Sequence, residues 1–156
     1  MPKVTQALNQ HLGTNYAIHI QFSEAEVAHF LLRKENVVYS WLVEDEENGE
    51  VTDFISFYAL NSSILDDPHH DKINAAYAYY NFVKDNDPGR MKQLIRDALI
   101  LAKEQKFDVF NMTEVLQHSL LRGDLIFKPG DGKLAHYLFN WRVQAVPSNQ
   151  IGIVLV

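Results

Sequence analysis

The sequence predicts an α+β or α/β fold with a mixed sheet. Strand and helix patterns alternate along the chain, residues 37–60 have the pattern of an antiparallel hairpin, and residues 74–111 have the order strand, helix, strand. The chain has 156 residues, and 47% of them are hydrophobic, which is enough for one continuous buried core. We therefore expect residues 1–156 to form a single domain.

The first predicted elements are a short helix and an extended segment. Val4, Leu8 and Leu12 fall on one helical face, and Gly13 ends this pattern. Apolar residues then alternate with other residues over positions 16–22, which predicts a strand or an extended segment.

A capping box indicates where the second helix begins. Ser23 and Glu26 are spaced so that the Ser23 hydroxyl can accept from the Glu26 N–H while the Glu26 carboxylate accepts from the Ser23 N–H. Apolar residues recur at helical spacing from Val27 onwards. The helix should therefore begin at Glu24.

The hairpin is predicted over residues 37–43 and 51–60, which are rich in β-branched and aromatic residues. The turn-forming pair Asn48-Gly49 lies between these two segments. Residues 44–50 also hold five carboxylates, which could be read as an acid–base site for glycoside or proton chemistry. Carboxylates at a hairpin tip more often lie in solvent and keep the sheet soluble, so we assign them no catalytic role.

Residues 74–111 predict a crossover between two strands. Residues 74–83 are rich in tyrosine and read as a strand, although the alanines at the start also permit a helix. Residues 87–89 break the pattern, and apolar residues recur at helical spacing over residues 91–102. Residues 107–111 then predict the second strand.

The C-terminal third predicts short elements. Residues 113–121 read as a brief helix, and the strand patterns lie at residues 125–128, 134–143 and 151–155. The last of these segments is apolar to its final residue, whereas chain ends usually lie in water. We therefore expect a buried end, either as an ordinary strand or as a terminal carboxylate that is held in a pocket.

The turn at residues 129–132 places two glycines around one carboxylate. Gly130 and Gly132 can adopt positive φ, so the turn either presents Asp131 and backbone groups to a ligand or serves only as a hairpin turn. It lacks the glycine spacing and the following lysine of a phosphate-binding loop.

The composition excludes several functional classes. A net charge of −6 without a basic cluster argues against nucleic acid as a partner, and the absence of cysteine excludes disulfides and thiolate chemistry. His69, His70 and Asp71 are adjacent and lack a further ligand one helical turn away, so we expect no metal there. With no apolar run of about 20 residues, no transmembrane segment is expected, and we expect a cytoplasmic location.

Several longer stretches occur in one order between about Phe22 and Val156. They are Glu35-Asn36-Val37-Val38, residues 48–58, Ala75-Ala76-Tyr77, residues 97–103, residues 107–111, Gly130-Asp131-Gly132, residues 137–141 and Gly152-Ile153-Val154-Leu155. Together they resemble the second half of the eukaryotic N-myristoyltransferases, the glycylpeptide N-tetradecanoyltransferase family.

The resemblance implies a fold and a reaction. The family consists of two acetyltransferase-like (GNAT-like) halves, and this chain resembles the C-terminal, peptide-binding half. The N-terminal half carries the acyl-CoA site, so we expect this half to bind no cofactor itself, with myristoyl-CoA as co-substrate of the full enzyme. The reaction moves myristate to the amine of an N-terminal glycine, which makes an N-terminal-glycine peptide and the N-terminal half the expected partners.

The resemblance also implies the site residues. The enzyme's terminal carboxylate is the proton acceptor in this family, and it falls on the main-chain carboxylate of Val156. The residues implied to contact the peptide are Ser62, Tyr77, Asn111, Asp131, Leu134 and Leu155, with Gly130 and Gly132 shaping the loop around Asp131.

We expect the isolated chain to be catalytically incomplete and not to turn over myristoyl-CoA. Two alternatives stay open: a non-catalytic peptide-binding module of the same fold, and an acetyltransferase-like enzyme that uses a short acyl-CoA. Loss of a partner half would uncover apolar surface, so we also expect a tendency to self-associate.

Overall fold

A computed structural model describes residues 1–65, 68–69, 71–121, 123–130 and 132–155. Its helices are α1 (Pro2–Asn15), α2 (Glu24–Phe30) and α3 (Pro88–Glu104). Its strands are β1 (Ile18–His19), β2 (Val38–Glu44), β3 (Val51–Ala59), β4 (Ser62–Ser63), β5 (Lys72–Ile73), β6 (Ala75–Val83), β7 (Val109–Asn111) and β8 (Ile151–Gly152). Short 3-10 helices occupy Lys84–Asn86, His118–Leu121 and Ser148–Gln150.

Four strands form the central sheet in the order β2-β3-β6-β7. Strand β3 runs antiparallel to both β2 and β6, whereas β6 and β7 run parallel. Helix α3 connects the two parallel strands, because such strands need a crossover rather than a tight turn. The predicted mixed sheet and α+β class are confirmed.

The buried side chains form a core on each face of this sheet. The α1-side core contains residues from α1, the sheet and the tail, including Leu8, Leu12, Phe22, Phe54, Tyr79, Tyr80 and Val154. The α3-side core contains residues from the sheet and α3, including Ile55, Phe57, Met91, Leu94 and Ile95. Successive side chains of a strand point to opposite faces, so Phe54 packs in the α1-side core and its neighbour Ile55 packs in the α3-side core.

Local signals define the beginnings of α2 and α3. Ser23 Oγ accepts from the Glu26 N–H at 3.2 Å, and Glu26 Oε2 accepts from the Ser23 N–H at 2.7 Å, which confirms the capping box. Helix α3 begins with Pro88, and Asp87 Oδ1 accepts from the Gly89 N–H at 2.8 Å. These bonds satisfy N–H groups that have no partner inside the helix.

A charged pair fixes α3 against the sheet. Asp53 lies on β3 and is only 3% exposed, and its Oδ2 accepts from Arg90 Nε at 3.0 Å and from Arg90 Nη2 at 2.7 Å. The hydrogen bond to Asp53 raises the pKa of the Arg90 guanidinium. The first turn of α3 is therefore held at the Asp53 end of the central sheet.

Several predicted elements are shorter in the structure. The segment at residues 16–22 forms a strand only at Ile18–His19, and the predicted helix at residues 113–121 is reduced to the 3-10 helix His118–Leu121. The predicted strand at residues 125–128 does not form, and the segment at residues 151–155 forms a strand only at Ile151–Gly152.

The strand predicted at residues 134–143 does not form either. Its apolar side chains lie in solvent: Tyr137 is 86% exposed, Phe139 is 84% exposed and Trp141 is 74% exposed. A strand needs a neighbouring strand to pair its backbone groups, and no such partner lies beside this segment in the part of the chain that the structure describes. Self-association stays a prediction.

Candidate functional site

The chain's last described residues lie against the sheet and α1. Strand β8 pairs in parallel with β1, so Ile18 lies opposite Ile151 and His19 opposite Gly152. The Ala17 N–H donates to the Gln150 carbonyl at 3.0 Å, which extends this contact by one bond. We call residues 150–155 the tail.

Within the tail, Gly152 and Val154 are buried, whereas Gln150, Ile151 and Ile153 are half-buried. Val154 is 5% exposed and belongs to the α1-side core, whereas Leu155 is 52% exposed. The predicted burial of the apolar end is thus confirmed at Val154 but does not extend to Leu155. Val156, whose main-chain carboxylate is the implied base, lies outside the described residues.

Gly152 allows the tail to lie directly on an aromatic ring. A Cβ atom at this position would lie 2.6 Å from both Cγ and Cδ2 of Tyr16. Tyr16 is 5% exposed and follows α1, where its N–H donates to the Leu12 carbonyl at 3.0 Å. The ring is therefore fixed by the helix end, and it leaves no room for a side chain on the tail.

Gly152→Ala is expected to lower the free energy of unfolding by about 1–3 kcal/mol, because the added methyl group must displace a buried ring or the tail. Gly123→Ala is the matched control, since a Cβ at Gly123 meets no atom within 4 Å. Urea unfolding of both variants measures the difference. Equal stability of the two variants would show that the tail does not lie on Tyr16.

A β-bulge turns two neighbouring tyrosines towards the same core. Ile55 lies opposite Asn81 and Phe57 opposite Ala78, so Ser56 faces both Tyr79 and Tyr80. In a regular strand neighbouring side chains point to opposite faces, but both tyrosines belong to the α1-side core. The Ser56 hydroxyl donates to the Tyr80 carbonyl at 2.8 Å and so stabilises the bulge.

A cluster of four tyrosines lies beside the tail: Tyr58, Tyr77, Tyr79 and Tyr80. Tyr58 stacks on Tyr77 with ring centroids 5.4 Å apart and meets Tyr79 edge-on at 5.5 Å. The Tyr58 hydroxyl lies 3.5 Å from the Leu155 carbonyl oxygen, to which it donates. Burial raises the pKa of Tyr79 to about 12, and burial followed by repulsion from Tyr77 raises the pKa of Tyr58. Both hydroxyls therefore keep their protons at neutral pH.

Three of the implied peptide contacts come together around this cluster. Tyr77 lies opposite Asn111 in the parallel register of β6 and β7. Tyr77 also stacks on Tyr58, which in turn reaches the backbone of Leu155. The Tyr58 side chain thus links Tyr77 to Leu155, and the strand register places Asn111 beside Tyr77. The sequence did not indicate this role for Tyr58.

The other implied contacts do not join this group. Ser62 is exposed and lies opposite Ile73 in the β4–β5 pair. Gly130, Gly132 and Leu134 lie in exposed backbone, and a Cβ at either glycine would meet no atom within 4 Å. Asp131 lies outside the described residues.

Next to Ser62 lies a polar cavity of about 240 Å³. The polar residues that line it are Asn36, Asn61, Lys72, Asn74, Gln105 and Lys106. Asn61 precedes Ser62, and Lys72 pairs with Ser63, so the cavity borders the β4–β5 pair. It offers amide and ammonium groups to a polar ligand.

One histidine, His118, is buried, and the spacing of the histidines in the sequence did not predict this burial. His118 is 1% exposed; its Nδ1 lies 3.0 Å from the Thr113 carbonyl oxygen, and its Nε2 lies 2.6 Å from the Asn81 side chain. Burial lowers the pKa of His118 to about 4, although the Thr113 hydrogen bond acts in the opposite direction. The ring is therefore neutral at pH 7 and carries one N–H, which donates either to the Thr113 carbonyl or to Asn81 Oδ1, while Asn81 Nδ2 donates to Met91 Sδ.

The structure bears on two further features, metal-binding groups and membrane-spanning helices. In residues 1–65, 68–69, 71–121, 123–130 and 132–155, no three His, Cys, Asp or Glu side chains come together as a possible metal site. His70 of the sequence pair lies outside these residues. Across the same described portions, no helix is both long and apolar enough to cross a membrane.

Comparison with protein families gives one match that covers nearly the whole chain. Residues 1–154 match the family model described as "Myristoyl-CoA:protein N-myristoyltransferase, C-terminal domain". Glycylpeptide N-tetradecanoyltransferase 1 of Arabidopsis thaliana is 41% identical over 100% of this chain and 35% of that protein. The Plasmodium falciparum glycylpeptide N-tetradecanoyltransferase is 42% identical over 96% of this chain and 35% of its own length. This chain thus spans about a third of these curated relatives.

Solved structures show the same relationship. The Saccharomyces cerevisiae N-myristoyltransferase with bound myristoyl-CoA superposes with a TM-score of 0.75 and 31% identity, over 84% of this chain and 34% of that chain. A predicted acetyltransferase with acetyl-CoA from Clostridium acetobutylicum superposes with a TM-score of 0.62 over 90% of this chain and 92% of that chain. At 10% identity the second likeness shows the fold alone, and it agrees with the expected GNAT-like architecture.

Proposed function

Because this chain belongs to the family of myristoyl-CoA:protein N-myristoyltransferase C-terminal domains, we propose that it is the peptide-binding half of a transferase. The transferase moves myristate from myristoyl-CoA to the N-terminal glycine amine of proteins. The name of the Arabidopsis thaliana relative describes such a transfer to a glycylpeptide. We further propose that residues 1–156 act as one cytoplasmic domain and that an N-terminal half holds the acyl-CoA.

One observation carries this proposal: a single tyrosine connects the tail with the implied peptide contacts. Tyr58 stacks on Tyr77, and its hydroxyl donates to the Leu155 carbonyl. Tyr77 lies opposite Asn111. A peptide that contacts Tyr77 and Asn111 would therefore pass close to the tail.

The proposed base is the main-chain carboxylate of Val156. A free α-amine has a pKa near ~7.7–8.0, so much of it is protonated at neutral pH and cannot attack a thioester. A carboxylate beside it accepts one proton of the ammonium group, and the amine nitrogen bonds to the thioester carbonyl carbon. The carbon–sulfur bond then breaks, and the CoA thiolate takes up the proton that the nitrogen loses as the amide forms. Val154 is buried two residues before this group, and a poorly hydrated position at the chain end would raise the basicity of the carboxylate.

The remaining proposed contacts fix the rest of the peptide. Ser62 hydrogen-bonds a small polar residue, and Leu134 and Tyr77 form the wall of its pocket. Asp131, between Gly130 and Gly132, pairs with a basic residue farther along the peptide.

A chimera tests this proposal. If this chain replaces the matching third of the Arabidopsis thaliana relative, we expect transfer of myristate to a peptide with a free N-terminal glycine, and none to the same peptide with an acetylated amine. The 156-residue chain alone should bind the free peptide without transferring myristate. Fluorescence anisotropy measures binding, and mass spectrometry of the peptide measures transfer.

The base is tested by lengthening the tail. Adding three glycines after Val156 should lower kcat of the chimera by about a hundredfold, because a positioned general base contributes at least about that factor. The same glycines inserted between Glu46 and Glu47, in the exposed hairpin tip, should leave kcat unchanged. An extended tail with full activity would contradict the role of the terminal carboxylate, and equal binding of the acetylated peptide would favour a non-catalytic module.

A further inference from the structure

The tail has one buried polar anchor that the proposed chemistry does not use. The Tyr80 hydroxyl accepts from the Val154 N–H at 3.3 Å inside the α1-side core. Tyr80 is completely buried, so this N–H has no access to water as a substitute partner. The bond lies two residues before the group that would act as base.

The Tyr80 ring is itself held from several sides. Phe22 meets the ring edge-on with centroids 5.1 Å apart, and Tyr79 lies 4.8 Å away. Phe22 is fixed in turn by Asn9 of α1, whose side chain donates to the Phe22 carbonyl at 2.7 Å and accepts from the Phe22 N–H at 2.9 Å. The bulge at Ser56 directs the side chain into this core. The hydroxyl is therefore placed by α1, β3 and β6 together.

Beyond Gly152, the other contacts of the tail are the packing of the Val154 side chain in the α1-side core and a long hydrogen bond from Tyr58 to Leu155. The β1 ladder ends with His19 opposite Gly152, so it does not reach Val154. Tyr58 reaches the Leu155 carbonyl at 3.5 Å, the upper limit for a hydrogen bond, and Leu155 is half exposed. The Tyr80 bond is thus the buried polar contact between the end of the β8 ladder and the chain end.

We propose that Tyr80 is a positioning residue that fixes the Val154 backbone and thereby aims the following carboxylate at the glycine amine. This inference rests on the proposed function and adds the residue that orients its base. Burial raises the pKa of Tyr80, against the opposing effect of the Val154 hydrogen bond, so the phenol stays neutral when the base works. A neutral phenol beside the tail adds no charge that would compete with the carboxylate for the substrate ammonium.

Tyr80→Phe removes the hydroxyl and keeps the ring. In this chain we expect hydrogen exchange of the Val154 amide to accelerate by about tenfold, the effect of losing one buried hydrogen bond. In the chimera we expect kcat to fall about tenfold or more with the peptide KM unchanged, because a misplaced group weakens the transition state and not the binding of the peptide.

Tyr39→Phe is the matched control. Tyr39 is also buried and its hydroxyl also accepts one backbone N–H, from Asn36 at 3.0 Å, but it lies in the α3-side core away from the tail. Tyr39→Phe should leave both Val154 exchange and kcat unchanged.

The results distinguish a positioning role of Tyr80 from a change in the basicity of the carboxylate and from a failure of the proposed function. Unchanged exchange at Val154 in Tyr80→Phe, or a kcat equal to that of Tyr39→Phe, would overturn the positioning role. Recovery of the Tyr80→Phe rate as the pH is raised would overturn it as well, since it would indicate a change in basicity and not in position. A wild-type chimera without transfer would instead contradict the proposed function, and the exchange measurement would still decide whether Tyr80 holds the tail.

Discussion

Phe57→Ala is expected to lower the free energy of unfolding by about 3–5 kcal/mol, a large part of the stability of a domain this size. Phe57 is fully buried in the middle of β3. Its ring meets Tyr39 at 5.4 Å, Phe107 at 5.7 Å and Phe110 at 5.6 Å between centroids. Truncation removes these contacts and leaves a cavity between the sheet and α3, which rigid strands cannot close.

Phe139→Ala is the matched control for this variant. Phe139 is 84% exposed, so its loss should change the stability by less than about 0.5 kcal/mol. Urea unfolding monitored by circular dichroism gives both values. Similar losses in the two variants would mean that residues 134–143 pack against the domain in solution.

Acidification is expected to destabilise the fold through two histidines, the buried His118 and the half-buried His11. Burial lowers the pKa of His118 and of His11 to about 4, against an ordinary value of 6.5. Between these values the unfolded chain binds more protons than the folded chain, so stability rises with pH. The contribution is complete above pH 6.5 and is lost as the pH falls towards 4. For His118 alone the loss amounts to about 3 kcal/mol.

His118→Gln should flatten this pH dependence, because glutamine offers a donor and an acceptor in the same region and takes up no proton. Chemical unfolding at several pH values between 7 and 4 measures the slope, which should decrease by up to about 1.4 kcal/mol per pH unit. His136→Gln, at an exposed position, should leave the slope unchanged. An unaltered slope in His118→Gln would show that the buried ring already carries its charge.

The parts of the fold that depend on neighbouring residues could be predicted from the sequence. The capping box at Ser23 and Glu26 forms as expected, because both partners lie within one helical turn. The hairpin of β2 and β3 likewise forms around its turn residues, with Gly49 at φ 65°. The order of β6, α3 and β7 also forms as predicted, whereas the register that places Tyr77 opposite Asn111 is known only from the structure.

The parts that depend on distant partners could not be predicted. Residues 134–143 have the composition of a strand, but a strand forms only where another strand offers its backbone groups. Tyr80 was missed for a related reason: strict alternation would place it opposite Tyr79, and only the register shift between β3 and β6 brings both to one core. The family resemblance implied the peptide contacts, which stay a prediction, while the contacts of Tyr58 and Tyr80 with the tail became visible only in the structure.

The parallel pairing of β1 with β8 has a consequence for folding order. Its strands come from nearly opposite ends of the sequence. Closing so long a loop is entropically costly until the sheet between them exists, so this contact forms late. On the ribosome, β1 must therefore wait unpaired until residues 151–152 have been translated, which follows the synthesis of every strand of the central sheet.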